Sequence, residues 1–262
     1  MNASHIPLSA CIIAKNEADR IGACIQSVKD IADEVVVVDS GSTDDTLAVA
    51  QALGAKTFHR DWTGYGPQKR FSEECASHDW ILNLDADEVV SPALAAEIRA
   101  LLRSEPPLRA YRLKLRTVYP NRSRPRLWAD FHNYVRLYDR RAVRFRDSAV
   151  HDTVDVRSER VGQLHGSAAH FSARSFQHMK DKLESYSGLQ AKVMKKTPAN
   201  MFLRLPFEYP LVFLRYFLVR RHFTGGWDGV RAAHIAARAR FRRLLKFLRA
   251  HEARKQESQP HG

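Results

Sequence analysis

Asp85-Ala86-Asp87 closes the apolar run Trp80-Ile81-Leu82-Asn83-Leu84, so two carboxylates two residues apart stand where a buried strand should end. Hard divalent cations such as Mg²⁺ and Mn²⁺ take oxygen ligands and are commonly held by one or two carboxylates together with the phosphate oxygens of a substrate. A D-x-D pair is short enough to arise by chance, and a solvated turn ahead of a helix is its bland alternative. A second acid, Asp39, ends the valine-rich segment Glu34-Val35-Val36-Val37-Val38. A charge there is costly unless it stays wet or paired, and its carboxylate has the chemistry to accept hydrogen bonds from a base or a ribose. In the turn that follows, Ser42 and Asp45 have capping-box spacing and Gly41 permits an unusual backbone angle, so this stretch also reads as a helix start.

The elements that must position these acids alternate. Residues 8–14 read as a buried strand, 18–28 as a helix, 34–39 as a strand and 44–53 as a helix closed by Gly54. A short strand at 55–58, a helix at 67–77 and a strand at 80–85 follow. A helix at 91–103 comes next, with Ser91 as N-cap and Pro92 at its first position. Continuous apolar strands bounded by helices predict an α/β fold with a mainly parallel sheet covered on both faces. Ligands of such sheets bind at the carboxyl ends of the strands, where Asp39 and Asp85 both lie. Residues 110–118, 134–138 and 143–146 read as further strands, and Arg136 faces away from its apolar neighbours if its strand is regular.

In order and spacing, Ile12-Ile13-Ala14-Lys15-Asn16-Glu17, the stretch from Val36 to Asp44, and Leu84-Asp85-Ala86-Asp87-Glu88 resemble the nucleotide-sugar half of the family 2 glycosyltransferases. The tract from Gly64 to Arg70, Val150-His151-Asp152, Ala169-His170-Phe171 and Gly225-Gly226-Trp227-Asp228-Gly229 resemble the lipopolysaccharide inner-core β-1,4-glucosyltransferases within that family. The resemblance implies a Rossmann-like GT-A fold and an inverting, metal-dependent transfer of glucose from UDP-glucose to a heptose of the inner core. An alternative keeps a UDP-sugar donor but passes the sugar to another envelope glycan or a polyprenyl phosphate. It further implies that Asp39 contacts the uracil end, that Glu17 shapes the nucleotide pocket, that Asp85 lies near ribose and metal, and that Asp87 ligates the Mg²⁺ or Mn²⁺ bridging the diphosphate. Asp152 occupies the place of the base, with Asp147 and Asp155 as stand-ins. Lys69 and Arg70 either add to the diphosphate clamp or are ordinary helix-surface charges. His170, between small residues and Phe171, is a candidate to complete the cation's coordination, against a structural histidine.

The chain of 262 residues carries a net charge of +13, with thirteen Lys and Arg against four Asp and Glu from Met201 onward. Such a balance calls for an acidic neighbour. Nucleic acid is the non-enzyme alternative, but no zinc-finger spacing, aromatic RNA-binding pattern or basic dimer heptad appears, so none is expected. The runs at 201–207 and 210–219 are strongly apolar yet broken by charges and prolines, short of a spanning helix. After Gly226, Val230, Ala233, Ala237, Phe241, Leu244 and Leu248 share one helical side, with arginines on another. This predicts a catalytic domain over 1–200 and a basic amphipathic helical extension over 201–262. The extension either lies on an anionic membrane that presents a lipid-linked saccharide acceptor or packs on the core. Arg116, Arg122, Arg124 and Arg126 make a basic stretch suited either to an anionic acceptor or to solvent. Three cysteines without paired spacing and the lack of a basic start before the first strand point to the cytoplasm, and the resemblance implies a place there at the inner face of the inner membrane.

Overall fold

The computed structural model describes residues 5–148, 153–156, 159–193 and 198–257. In chain order it runs β1 (Leu8–Ala14), α1 (Ile21–Val28), β2 (Glu34–Asp39), α2 (Thr46–Ala52), β3 (Lys56–His59), α3 (Tyr65–Cys75), β4 (Trp80–Asp85), β5 (Glu88–Val90), α4 (Pro92–Leu101), β6 (Ala110–Thr117), β7 (Phe131–Asp139) and β8 (Val161–His170). Three long helices follow: α5 (Phe176–Val193), α6 (Pro198–Leu214) and α7 (Gly226–Glu257). The strands form one sheet in the order β3-β2-β1-β4-β7-β6-β8-β5. Pairing is parallel from β3 to β4 and antiparallel at β4–β7, β7–β6 and β8–β5. The expected α/β, Rossmann-like GT-A class is what the chain adopts, with the parallel part confined to the first half of a mixed sheet.

Alternation along the strands explains why helices cover both sides. Leu8, Ala10 and Ile12 of β1, Val37 of β2, and Trp80, Leu82 and Leu84 of β4 share a core with α1, α2 and α4. Cys11 and Ile13, Val36 and Val38, and Ile81 point the other way, where Phe71 and Cys75 of α3 meet Tyr138 and Phe145. A strand buried on both faces must be apolar throughout, which is why these runs were recognisable from sequence. Ser91 caps α4 as expected, its hydroxyl accepting from the Leu94 N–H at 3.2 Å. At α2 the helix starts at Thr46 with no side-chain cap from Asp45, and Ser42 turns instead to Asp39. The strand expected at 143–146 is only an isolated bridge between Phe145 and Val154.

Compactness divides the chain into Met1–Arg116 with Phe131–His170, and Thr117–Asp130 with Phe171–Gly262. The boundary expected after residue 200 therefore falls inside the second unit, because α5 packs on α7. In that unit α6 also lies along α7, and Met201, Leu244 and Phe247 form a small core beside buried Ala232, Ala233, Ala236 and Ala237. The alanine-rich face of α7, which the sequence offered to a membrane, is thus used up in helix packing.

Candidate active site

Register sets the site. In the parallel half of the sheet Ala14 pairs with Asp39 and Ile13 with Asp85, so the chain leaves β1, β2 and β4 at one level. Because β1 is flanked by β2 on one side and β4 on the other, this is the crevice where connections diverge and ligands of such sheets bind. Asn16 takes a left-handed conformation in the turn after β1, where its side-chain oxygen accepts from the Thr43 N–H at 2.8 Å and its own N–H donates to Ser42 Oγ at 2.8 Å. Asp39 is buried, and its Oδ2 accepts from the Gly41 and Ser42 N–H groups, each at 2.9 Å. The Ser42 hydroxyl donates to its other oxygen. Gly41, at φ +89°, lets the turn fold back onto the carboxylate.

The second half of the site comes from antiparallel pairing. β5 pairs with the end of β8 so that Glu88 faces His170, which returns the histidine to the acidic turn. Close packing makes this possible: Gly166 in β8 lies against α4, where an added Cβ would meet Leu94 Cα at 2.5 Å, and Glu97 of α4 accepts from the His165 and Gly166 N–H groups. Around the acids stand three cationic side chains and a histidine. Lys69 Nζ is fully buried 2.8 Å from Asp85 Oδ1. Arg136, buried in β7, reaches Asp85 Oδ2 at 3.1 Å, Glu88 Oε1 at 3.0 Å and Asn83 Oδ1 at 3.2 Å. Arg20 bridges Glu17 and Asp87, its Nη1 3.5 Å from Asp87 Oδ2. His170 Nε2 lies 3.6 Å from the same oxygen.

These neighbours pull the carboxyls apart in acidity. Burial pushes Asp85 up, but Lys69 and Arg136 outweigh it and hold the group well below the usual carboxylate range. For Glu88 burial wins over Arg136, and with the Asp85 charge nearby its carboxyl is pushed up to about 7. Burial also opposes ionisation of Asp87, yet His170 beside it brings its carboxyl below the ordinary value. Conversely, burial disfavours the charged His170, and Asp87 overcomes this to raise it.

A divalent cation fits part of this set. Asp87 Oδ2 and His170 Nε2 are too far apart for a hydrogen bond and close enough for one ion to touch both at about 2.1 Å. His170 Nδ1 is buried without a hydrogen-bond partner. Among the described residues no group of three or more His, Cys, Asp or Glu gathers as a metal cage. The donor set therefore suits an ion that arrives with an anionic diphosphate, which is how Mg²⁺ is usually held. Asp85, expected beside Asp87 as a ligand, instead has both oxygens engaged by Lys69 and Arg136.

Lys69, expected either in a diphosphate clamp or on the helix surface, is not on the surface, because α3 turns it inward onto Asp85 at the crevice. Glu17 and Asp39 stand at the crevice, while Asp152 and His151 lie outside the described residues. Asp147 is exposed and Asp155 is 3.5 Å from Arg146. Both line a pocket with Arg70, Arg141, Arg144 and Arg146 that contains none of the crevice acids. In the second unit Arg122 pairs with Asp228 at 2.6 Å and Arg126 with Asp130 at 3.2 Å, so two arginines of the basic stretch brace structure. Sequence reading missed Arg20 and Glu88. Their signals were present: an arginine three residues after Glu17, and an acid directly following the aspartate pair.

Residues 9–108 match the model of Glycosyl transferase family 2. An uncharacterized glycosyltransferase of Rickettsia bellii is 41% identical over 252 residues, covering 91% of this chain and 85% of that protein. The lipopolysaccharide core biosynthesis glycosyltransferase LpsC of Rhizobium meliloti is 31% identical over 260 residues, covering 94% of this chain and 93% of that protein. Among solved structures, glucosyl-3-phosphoglycerate synthase of Mycobacterium tuberculosis, crystallised with Mn²⁺ and UDP-glucose, is 26% identical at a TM-score of 0.35, and the match covers 44% of each chain. The match thus takes in less than half of either chain. With an acid-ended parallel crevice and relatives aligned along nearly their whole length, the chain is an enzyme and belongs to the family 2 glycosyltransferases.

Proposed function

We propose that this enzyme transfers glucose from UDP-glucose, with inversion, to a heptose of the lipopolysaccharide inner core at the cytoplasmic face of an inner membrane. The observation that carries the reading is the pairing of Glu88 with His170, which sets an imidazole and the Asp87 carboxylate around one point beside the crevice. Likeness to LpsC along nearly the whole chain supports the acceptor class. In this reading Asp39 and Glu17 receive the nucleoside, Asp87 and His170 hold Mg²⁺ or Mn²⁺, and Asp85 is kept ionised by Lys69 and Arg136 near the ribose. A bound cation supplies positive charge where the departing diphosphate becomes negative, a contribution of several kcal/mol. Asp152 takes the proton from the acceptor hydroxyl as it attacks, worth roughly 10²- to 10⁴-fold in rate. The acceptor is lipid-linked, and the basic helical unit meets an anionic membrane surface.

The test measures UDP release over a panel of sugar nucleotides, with heptosylated lipid A and polyprenyl phosphate as competing acceptors. UDP release from UDP-glucose that depends on heptosylated lipid A is expected. Dependence on polyprenyl phosphate or another donor would move the assignment to the alternative acceptor or sugar. No UDP release from any donor would end it.

A further inference from the structure

Helix α6 is apolar on two opposite faces. Met201 and Val212 are buried, with Leu205 partly buried between them, on the side packed along α7. On the other side Leu203, Phe207, Leu211 and Leu214 recur at helical spacing, continued by Leu218 in the π-helical turn Arg215–Val219, and these five are between 48% and 73% exposed. The stripe does not end with the helix. Phe217 packs against exposed Phe223 with ring centroids 6.3 Å apart, and the Arg221 guanidinium lies 5.7 Å from the ring of exposed Trp128. Trp227, at the start of α7, is 80% exposed. An exposed apolar surface of this kind marks an interaction site.

Charge selects its occupant. From Pro198 to Arg231 there are five arginines and two acids. Both acids are already paired, Glu208 with Arg204 at 2.6 Å and Asp228 with Arg122 at 2.6 Å. Arg220 shares Asp130 at 3.7 Å, and exposed Arg215 and Arg221 give the apolar stripe a cationic margin. A second copy docking on the same face by two-fold symmetry would bring like margins together. An anionic lipid surface complements them, and Trp and Arg beside an apolar helical face are the side chains suited to the headgroup boundary. No helix among the described residues is long and apolar enough to cross a membrane, so the face is suited to lie along the surface.

We propose that the outward face of α6, bordered by Trp128 and Trp227, is the surface by which this enzyme lies in the headgroup boundary of an anionic bilayer. This names the partner of the membrane-side reading above and rests on that reading for the presence of a bilayer. The test uses the full chain and sedimentation with vesicles of phosphatidylglycerol and phosphatidylethanolamine. A triple variant, Leu203→Ser with Phe207→Ser and Leu211→Ser, is expected to lose at least about tenfold in vesicle affinity. Its UDP binding and helical circular dichroism should not change, since the three side chains face solvent. In the wild type, brominated lipids are expected to quench exposed tryptophan fluorescence. Equal vesicle binding by wild type and variant, or no quenching, overturns the proposal. A wild-type dimer that the variant converts to a monomer, with neither binding vesicles, assigns the face to a second copy and also overturns it. UDP release onto a soluble heptose acceptor is read separately: its loss in the wild type counts against the glucosyltransferase reading and leaves the vesicle result standing.

Discussion

Arg136 holds its guanidinium between Asp85 and Glu88, so deleting it leaves a half-buried Asp85 with Lys69 as its remaining close cation and a fully buried Glu88 with none so close. Breaking a buried pair by removing one partner typically costs about 3–5 kcal/mol, because the other charge stays behind undissolved. Arg136→Met is therefore expected to lower the thermal midpoint strongly in calorimetry. Adding Glu88→Gln should recover more of the loss as pH rises above about 7, since an acid already pushed up to about 7 escapes at lower pH by taking up a proton. Asp87→Ala carries a different signature: fold stability changes little, while UDP binding in titration calorimetry loses its dependence on Mn²⁺ and turnover disappears. For Asp152→Asn, donor binding should persist while transfer falls by roughly 10²-fold or more; near-normal transfer would move the base to a neighbour. Asp39, Asp85 and Asp87 were legible in the sequence because each ends an apolar run. The engagement of Asp85 was not, since Arg136 lies 51 residues away in sequence and meets it only through the antiparallel register of β7 on β4.

Elements decide whether those side chains meet. β1, β2 and β4 could be read to the residue because burial on both faces demands unbroken apolar runs. β5 escaped notice: Glu88-Val89-Val90 is three residues long and looks like the tail of an acidic turn, yet it is what brings His170 home. Its partner β8 depends on Gly166, so Gly166→Ala should overpack the α4 contact at a cost of about 1–3 kcal/mol. The same change should lower transfer by displacing His170, seen as a raised Mn²⁺ requirement. A separate staple sits at the opposite, amino end of β2. Glu34 accepts from Ser9 Oγ at 2.6 Å and Ser77 Oγ at 2.9 Å and pairs with Lys56 at 2.6 Å. Burial pushes its carboxyl up, but Lys56, Ser9 and Ser77 outweigh it and bring it from 4.5 down to about 2. A carboxyl lowered on folding stabilises fully above its unfolded value and loses that contribution as pH falls from about 4.5 through about 2. Urea denaturation across that window should show the wild type losing on the order of 2 kcal/mol that Glu34→Gln does not lose.

At the scale of the whole molecule, the surplus of Lys and Arg beyond Met201 was plain in the sequence, but which helical face it served was not. Both α6 and α7 carry apolar faces, and composition alone cannot say which one a neighbouring helix consumes. Packing consumes the alanine side of α7, where close approach is easiest, and leaves the bulky leucine and phenylalanine side of α6 in solvent. Two forces should then act on vesicle binding, and salt separates them. Basic residues near an anionic surface contribute about 1 kcal/mol each at physiological ionic strength. That attraction decays as the Debye length shrinks from about 8 Å at 0.15 M to about 3 Å at 1 M. Insertion of Phe207, Leu211 and Leu214 does not depend on screening, and strengthens slightly if anything as salt disfavours exposed apolar surface. Raising NaCl to 1 M is thus expected to bring binding to phosphatidylglycerol vesicles down to the level seen with neutral phosphatidylcholine, and not to zero. In the α6 triple-serine variant the same titration should fall well below the wild-type plateau, to what Leu214, Leu218 and the two tryptophans alone retain. A wild-type curve that falls to zero in high salt would mean that the basic surface works alone and the apolar stripe never enters the lipid.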